Sequence, residues 1–298
     1  MSEEEGGSKR TSTLVFLSMN SPTETRAFGP YQTLKVELDT REFPGVLSVK
    51  LNRPDIRNAF NETMIDELTR VFTQDVNHAE VKVVTLGGEG PVFSAGGDLN
   101  WMKRSVSLNL EQNLTETRTL SQMFARMNEC PKPLVGFIHG AAIGGGVGLT
   151  SVCDIVVATQ DTQFSLSEVR LGIVPACIGP FVTAKIGATH SRALFVSAER
   201  FGARRALEIG LVHEVVSDAI ALEGARGRLL GNMLQCGPQA MAVAKKLVLD
   251  LTWPERREKQ TDCLEYVSRT LAELRVSPEG QEGLKAFLEK RKPTWIPS

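Results

Sequence analysis

Apolar and polar residues along the chain change period several times, and each change marks an element. Leu34, Val36 and Leu38 alternate with polar residues, and Gly45-Val46-Leu47-Ser48-Val49-Lys50-Leu51 follows after Phe43-Pro44. Alternation at period two on both sides of a Pro-Gly turn predicts two strands. Asn61 then stands as an N-cap before Met64, Ile65, Leu68, Val71 and Phe72, whose spacing predicts a helix with one apolar face. Val81–Leu86 predicts a strand ended by Gly87-Gly88, and Leu110–Met127 a helix closed by Pro131 and Pro133. Leu134–Ile138 is a nearly all-apolar run of the kind buried on both faces of a helix-covered sheet. Asp154–Ala158 reads as a further short strand. Beyond Thr183 the strand signal fades, and Ala203–Ile209, Ala219–Leu234, Gln239–Leu251, Glu255–Leu274 and Glu279–Arg291 predict helices. The expectation is an α/β protein, with repeated β/α units followed by a helical C-terminal region.

Residues 1–30 break this pattern. Glu3-Glu4-Glu5, a Gly- and Ser-containing stretch and Lys9-Arg10 precede the short apolar patch Leu14–Leu17. This reads as an extension without regular structure. Its acidity speaks against a mitochondrial presequence, and the patch is too short for a secretory signal. The expected organisation is an extension over 1–30, a core bearing the site over 31–200, and a helical region over 201–298. Charge and cysteine content then exclude several classes. Lys plus Arg total 34 against 35 Asp plus Glu, a net charge of −1, so there is no electrostatic footprint for nucleic acid or an anionic membrane. No apolar run reaches the ~20 residues of a membrane-spanning helix. Cys130, Cys153, Cys177, Cys236 and Cys263 are scattered and form no CxxC pair. They argue against a disulfide framework or structural zinc, and for a reducing compartment such as the cytoplasm or mitochondrial matrix.

Standard site motifs are missing: the chain has no GxxxxGK[ST], no GxSxG and no HExxH. The four histidines lie far apart, and Leu149 spoils a GxGxxG reading of the run from Gly144. Two glycine-rich turns remain, each placed after a predicted strand. They are Phe93-Ser94-Ala95-Gly96-Gly97-Asp98-Leu99 and His139-Gly140-Ala141-Ala142-Ile143-Gly144-Gly145-Gly146. Small residues there let another group approach the backbone closely. Val147–Val152 can start a helix, which would set the Gly145 and Gly146 amides at its positive end. Two N–H groups from separate turns aimed at one point make an oxyanion hole; the alternative is two tight packing turns. Glu168 stands in a largely apolar stretch before Gly172 and Pro175. It is either salt-bridged, with Arg170 the nearest cation, or desolvated in a pocket and tuned for proton transfer.

These residues resemble, in order and spacing, the crotonase (enoyl-CoA hydratase/isomerase) superfamily. The resemblance rests on Asn52-Arg53-Pro54, Asn58-Ala59-Phe60, both glycine turns, Cys153-Asp154, Ser167–Gly172 and Gly280–Arg291, and it spans Tyr31 to Pro293. It implies a crotonase (ClpP-like) spiral of ββα turns with a C-terminal helical trimerisation region, assembled as a trimer or a dimer of trimers. It also implies an acyl-CoA thioester whose carbonyl oxygen lies between the amides matching Ala95 and Gly145, with Glu168 as the acid. CoA enters as part of the substrate, so no separate cofactor or metal is implied. Arg57, Ala59, Ala95, Gly96, Gly97, Asp98, Leu99 and Gly145 are implied to line the substrate path, Asp98 as a cap or turn-former. Phe287 and Lys290 match positions that close over the CoA, often from a neighbouring subunit.

One departure changes the chemistry. Hydratases of the usual pattern carry a second glutamate three residues after the position of Gly145, and here Gly148 stands there. One acid suits a Δ3,Δ2-enoyl-CoA isomerase, and it also suits hydration if Glu168 both activates water and protonates Cα. Gly144–Leu149, Phe164–Gly172, Ala198–Phe201 and Arg275–Gly283 resemble methylglutaconyl-CoA hydratases of leucine breakdown, with isohexenylglutaconyl-CoA hydratases close in type. The leading expectation is hydration of a branched glutaconyl-type thioester such as 3-methylglutaconyl-CoA. A crotonase-fold binding protein without catalysis is the expectation from a different class. Arg104, Lys185 and Arg192 are candidate partners for a distal substrate carboxylate.

Overall fold

The computed structural model describes residues 25–253 and 263–296. The acidic start, Lys9-Arg10, the Leu14–Leu17 patch and the beginning of the helix expected over Glu255–Leu274 lie outside the described residues. The first described element corrects the reading of residues 1–30 as wholly irregular. Strand β1 (Thr25–Ala27) pairs antiparallel with β2 (Leu34–Asp39), Arg26 facing Leu38. All three of its residues are exposed, so no apolar periodicity announces it.

β2 pairs antiparallel with β3 (Val46–Leu51) across the predicted turn. Helix α1 (Glu62–Thr73) starts where Asn61 accepts a hydrogen bond from the Met64 amide, and it buries all five expected residues. β4 (Val83–Gly88) lies parallel to β3 and takes Gly87 and Gly88 into the ladder opposite Lys50 and Leu51. Sheet pairing overrides the low strand preference of glycine here. The chain continues through α2 (Leu99–Ser105), α3 (Leu110–Asn128), β5 (Leu134–Ile138), β6 (Ala141–Ile143), α4 (Gly145–Ser151), β7 (Ile155–Thr159) and β8 (Gln163–Ser165). It ends with α5 (Gly179–Ser197), β9 (Arg200–Gly202), α6 (Ala203–Glu208), β10 (Glu214–Val216), α7 (Ala219–Met233), α8 (Pro238–Thr252), α9 (Cys263–Val276) and α10 (Pro278–Leu288). β9 and β10 fall where strand signal was absent; each is three residues long and is held by its neighbours.

The main sheet has seven strands in the order β1-β2-β3-β4-β5-β7-β10, parallel from β3 onward. β5 lies between β4 and β7 with every residue buried. Two apolar clusters explain its sequence. One joins Leu134 and Ile138 to α1, α3, α4 and α5; the other joins Val135 and Phe137 to Leu222, Ala225 and Leu230 of α7.

A second layer is what builds the site. β6 pairs with β8, and β8 with β9. Isolated bridges Ser94↔Ala142 and Phe60↔Gly97 extend this layer to the two earlier turns of the chain. Each return from the main sheet therefore passes through one shared edge, where its turn bonds to the next. The helical C-terminal region is tied on by Lys245 of α8, which pairs with Asp154 at 2.8 Å and donates to the Lys132 carbonyl at 3.3 Å.

Asn61→Ala removes the acceptor at the start of α1. It is expected to cost about 0.5–2 kcal/mol, read as a lower urea midpoint at unchanged m-value.

Candidate active site

The turns after β4 and β5 meet backbone to backbone, and their hydrogen bonds can be followed donor by donor. Ala95 donates its amide to the Arg57 carbonyl at 2.9 Å, Gly96 to Ser94 Oγ at 3.3 Å, and Asp98 to the Phe60 carbonyl at 2.8 Å. The Gly97 amide alone in this set finds no acceptor among the described residues. The expectation for Ala95 is therefore corrected. Its N–H is used to hold the turn against Arg57, and the spare donor lies two residues on, past the reversal at Gly96 (φ 90°).

In the second turn Gly144 donates to the Ser165 carbonyl at 2.8 Å, and Val147 and Gly148 donate back to the Gly144 carbonyl. Gly145 and Gly146, the first residues of α4, have amides without an acceptor among the described residues. Amides of a first helical turn have no partner within their own helix. A methyl group on Gly96 would stand 2.9 Å from the Ile143 carbonyl oxygen and 3.9 Å from the Gly145 nitrogen. The two turns are thus in direct contact.

Three side chains hold the first turn. Buried Asn58 accepts from the Arg53 amide at 2.8 Å and donates to the carbonyls of Glu89 and Val92 at 2.8 and 3.0 Å. Ser94 Oγ donates to the Asn58 carbonyl at 3.0 Å. Arg53 donates to the Ala59 carbonyl at 2.6 Å and to Asp98 at 2.9 Å. Asp98 caps α2 through the amides of Asn100 and Trp101. Burial alone would raise its carboxyl, but those amides and Arg53 outweigh it and hold the group below its usual range. Arg57 is exposed at φ 56°, Ala59 is buried, and Leu99 is exposed.

Glu168 opens a short 3-10 turn, Glu168–Leu171, that follows β8. Its Oε1 stands 3.1 Å from where a methyl on Gly144 would be, and Gly144 has φ 53° and ψ −115°, a conformation suited to glycine. Its Oε2 is buried without a hydrogen-bond partner among the described residues. Burial raises its pKa above the usual carboxylate range, and only its own backbone amide opposes that. The salt bridge to Arg170 is not formed: that guanidinium donates to the Ala198 carbonyl at 3.0 Å.

Gly148 is closed off by packing. A methyl there would lie 2.3 Å from Ile178 Cγ2 and 2.9 Å from Phe124 Cε1. No carboxylate can project from this position without displacing both side chains. Among the described residues no hydrogen bond or ion pair brings Arg104, Lys185 or Arg192 to Glu168 or to either turn. Arg104 pairs with Glu62, Lys185 donates to the Cys153 carbonyl just past the far end of α4, and Arg192 is exposed on α5. Phe287 and Lys290 are exposed at the end of the chain, where α10 packs on α8 and α9. Within one chain they are not brought to the glycine turns by any described hydrogen bond.

The Enoyl-CoA hydratase/isomerase family model matches residues 41–297. The chain belongs to that family. Pseudomonas aeruginosa AtuE, a solved structure, superposes with a TM-score of 0.83 at 37% identity, covering 89% of this chain and 100% of that one. The 2,3-dehydroadipyl-CoA hydratase of Escherichia coli is 32% identical over 83% of this chain and 94% of its own length. The trans-2-decenoyl-[acyl-carrier-protein] isomerase of Streptococcus mutans is 28% identical, over 84% and 94% respectively. The architecture is the expected crotonase fold, and this enoyl-CoA hydratase/isomerase family member is an enzyme with hydratases and an isomerase among its relatives.

In this enoyl-CoA hydratase/isomerase, Gly148→Ala should cost about 1–3 kcal/mol by overpacking, measurable by chemical denaturation. Gly148→Glu should fail to accumulate as folded protein rather than gain a second titrating acid.

Proposed function

We propose that this enzyme adds water to, or removes it from, a branched glutaconyl-type enoyl-CoA such as 3-methylglutaconyl-CoA, in the manner of leucine breakdown. The Gly97 and Gly145 amides hold the thioester oxygen, and Glu168 is the sole acid–base group. One observation carries this reading. The Glu168 carboxyl lies with Oε1 against Gly144 and Oε2 buried and unpartnered, and the turn of Gly144 and the unpaired Gly145 amide packs against the one bearing the unpaired Gly97 amide.

In the hydration direction the Glu168 carboxylate takes a proton from water as the oxygen adds to Cβ. The Cα–Cβ π electrons shift toward the thioester, and the negative charge gathers on its oxygen. The two amides stabilise that enolate; one such donor is typically worth roughly 2.7–4 kcal/mol. Protonated Glu168 then returns the proton to Cα, so the acid ends as it began. A carboxyl whose pKa burial raises suits both halves, because it takes up a proton more readily than an ordinary carboxylate and can still give it to the enolate. With Ile178 and Phe124 filling the space at Gly148, the same group serves twice.

The E. coli relative is named for a dicarboxylic acyl chain, which supports a distal carboxylate in the substrate. Arg104 and Arg192 remain the candidate cations for it. Leu284, Phe287 and Leu288 of α10 are 51%, 82% and 77% exposed. Such an apolar face suits assembly as a trimer or a dimer of trimers, in which Phe287 and Lys290 reach a neighbour's CoA. Isomerisation is the second reading, favoured by the single acid and by the S. mutans isomerase.

Glu168→Gln should lower kcat by about 10²–10⁴-fold with CoA binding retained by calorimetry; full activity would refute the single-acid mechanism. The rate of hydration should fall with decreasing pH at a value above the ordinary glutamate range, as the base form is lost. Stability carries the opposite sign. The folded state keeps the Glu168 proton to higher pH than the unfolded chain, so stability declines as pH rises from the ordinary value through the raised one. Denaturation of Glu168→Gln should lack that decline. Comparing 3-methylglutaconyl-CoA with crotonyl-CoA tests the substrate, and supplying a 3-enoyl-CoA in D2O separates addition of water from transfer of a proton alone.

A further inference from the structure

The acid and the glycine turn belong to different segments, yet both trace to a single backbone carbonyl. α5 ends at Ser197, and Ala198, only 1% exposed, takes the left-handed conformation at φ 49° and ψ 32°. A non-glycine residue in that region costs about 1–2 kcal/mol, so its surroundings must enforce it. Its carbonyl accepts Arg170 Nη2 at 3.0 Å and, more weakly, Ser165 Oγ at 3.4 Å. Ser165 faces two ways: its own carbonyl accepts the Gly144 amide at 2.8 Å, and Gly144 is the residue that Glu168 lies against. Arg170 stands two residues after Glu168 in the same 3-10 turn, its amide bonded to the Ser167 carbonyl at 3.0 Å. At three residues per turn, side chains two positions apart leave on different sides. Arg170 therefore leads away from the carboxyl and toward the end of α5.

We propose that the Ala198 carbonyl is the fixed point that sets Glu168 against the glycine turn, and that Arg170 is a positioning residue for Glu168 rather than its counterion. Ser165 carries the same carbonyl's hold through to Gly144, so one anchor serves both halves of the site. No other described charge competes for this role. α4 contains no charged residue, Lys185 of α5 is engaged by the Cys153 carbonyl, and Arg192, Glu199 and Arg200 are exposed.

The proposal rests on Glu168 as the proton-transfer group, and its test separates the two. Arg170→Met keeps the apolar stem and removes the donors; Arg170→Lys restores one donor. Arg170→Met should lower kcat by up to about 10²-fold with KM nearly unchanged, and Arg170→Lys should recover most of it. The carboxyl of Glu168, followed by carbon NMR against Glu168→Gln and without substrate, should titrate lower in Arg170→Met as the turn loosens toward water. A counterion role demands the reverse, a higher midpoint on losing the cation. Wild-type kcat and titration in Arg170→Met, or a raised midpoint, would overturn the proposal. Should that variant not fold, Arg170→Gln, neutral but still a donor, carries the same comparison: a raised midpoint refutes, an unchanged one supports. Failure of the wild type to turn over any enoyl-CoA would remove the reaction assigned above while the titration still decides the role of Arg170.

Discussion

The site depends on backbone turns bonding to one another at the edge of the second layer. Ala95 is held by Arg57, Asp98 by Phe60, and Gly144 by Ser165, so these donors are spent on joining the turns. What is left over, at Gly97, Gly145 and Gly146, is left over because of that bonding. Unpaired amides in two turns that touch are costly unless something accepts from them. An anionic oxygen satisfies several donors at once, and bringing them together beforehand removes the need to reorganise when charge develops.

The same economy of space governs the acid. Phe60 presses on Gly145, while Phe124 and Ile178 press on Gly148 one turn along the helix. This face of α4 is walled with apolar side chains, and Glu168 meets the backbone at its start. Burial without a compensating cation is what moves its proton affinity, and turning Arg170 away preserves that condition. A guanidinium allowed to reach the carboxyl would shift it the other way.

Much of this was legible in the residues, and the boundary of legibility has a physical cause. Asn61 with its five buried partners, and the all-apolar β5, are local patterns read on one element. The strands β1, β6, β8, β9 and β10 have three residues each and exist through pairing, which spacing does not encode. α5 carries no continuous helical pattern in the sequence, and in the fold Gly187, at φ 75° and ψ 162°, interrupts its helical geometry. The resemblance pointed to the Ala95 amide, whereas the spare donor is at Gly97, because the direction of an amide turns on the backbone angle at Gly96. The pairing of Arg170 with Glu168 failed similarly: proximity along the chain says nothing about which side of a tight turn each side chain leaves from. Lys185 is the converse case, a charge that looks free in the sequence and is spent on a carbonyl in the fold.

The tight fit between Gly148 and Ile178 also bears on how such a protein changes over generations. A route toward a two-carboxylate relative cannot begin at position 148, since any side chain there collides with its neighbours. Room would first have to be made at both Ile178 and Phe124, and shrinking Ile178 alone leaves a cavity costing roughly 2–5 kcal/mol for loss of the whole branched chain. Only then could a larger residue enter opposite. Each step taken singly is disfavoured, first by the cavity and then by the collision.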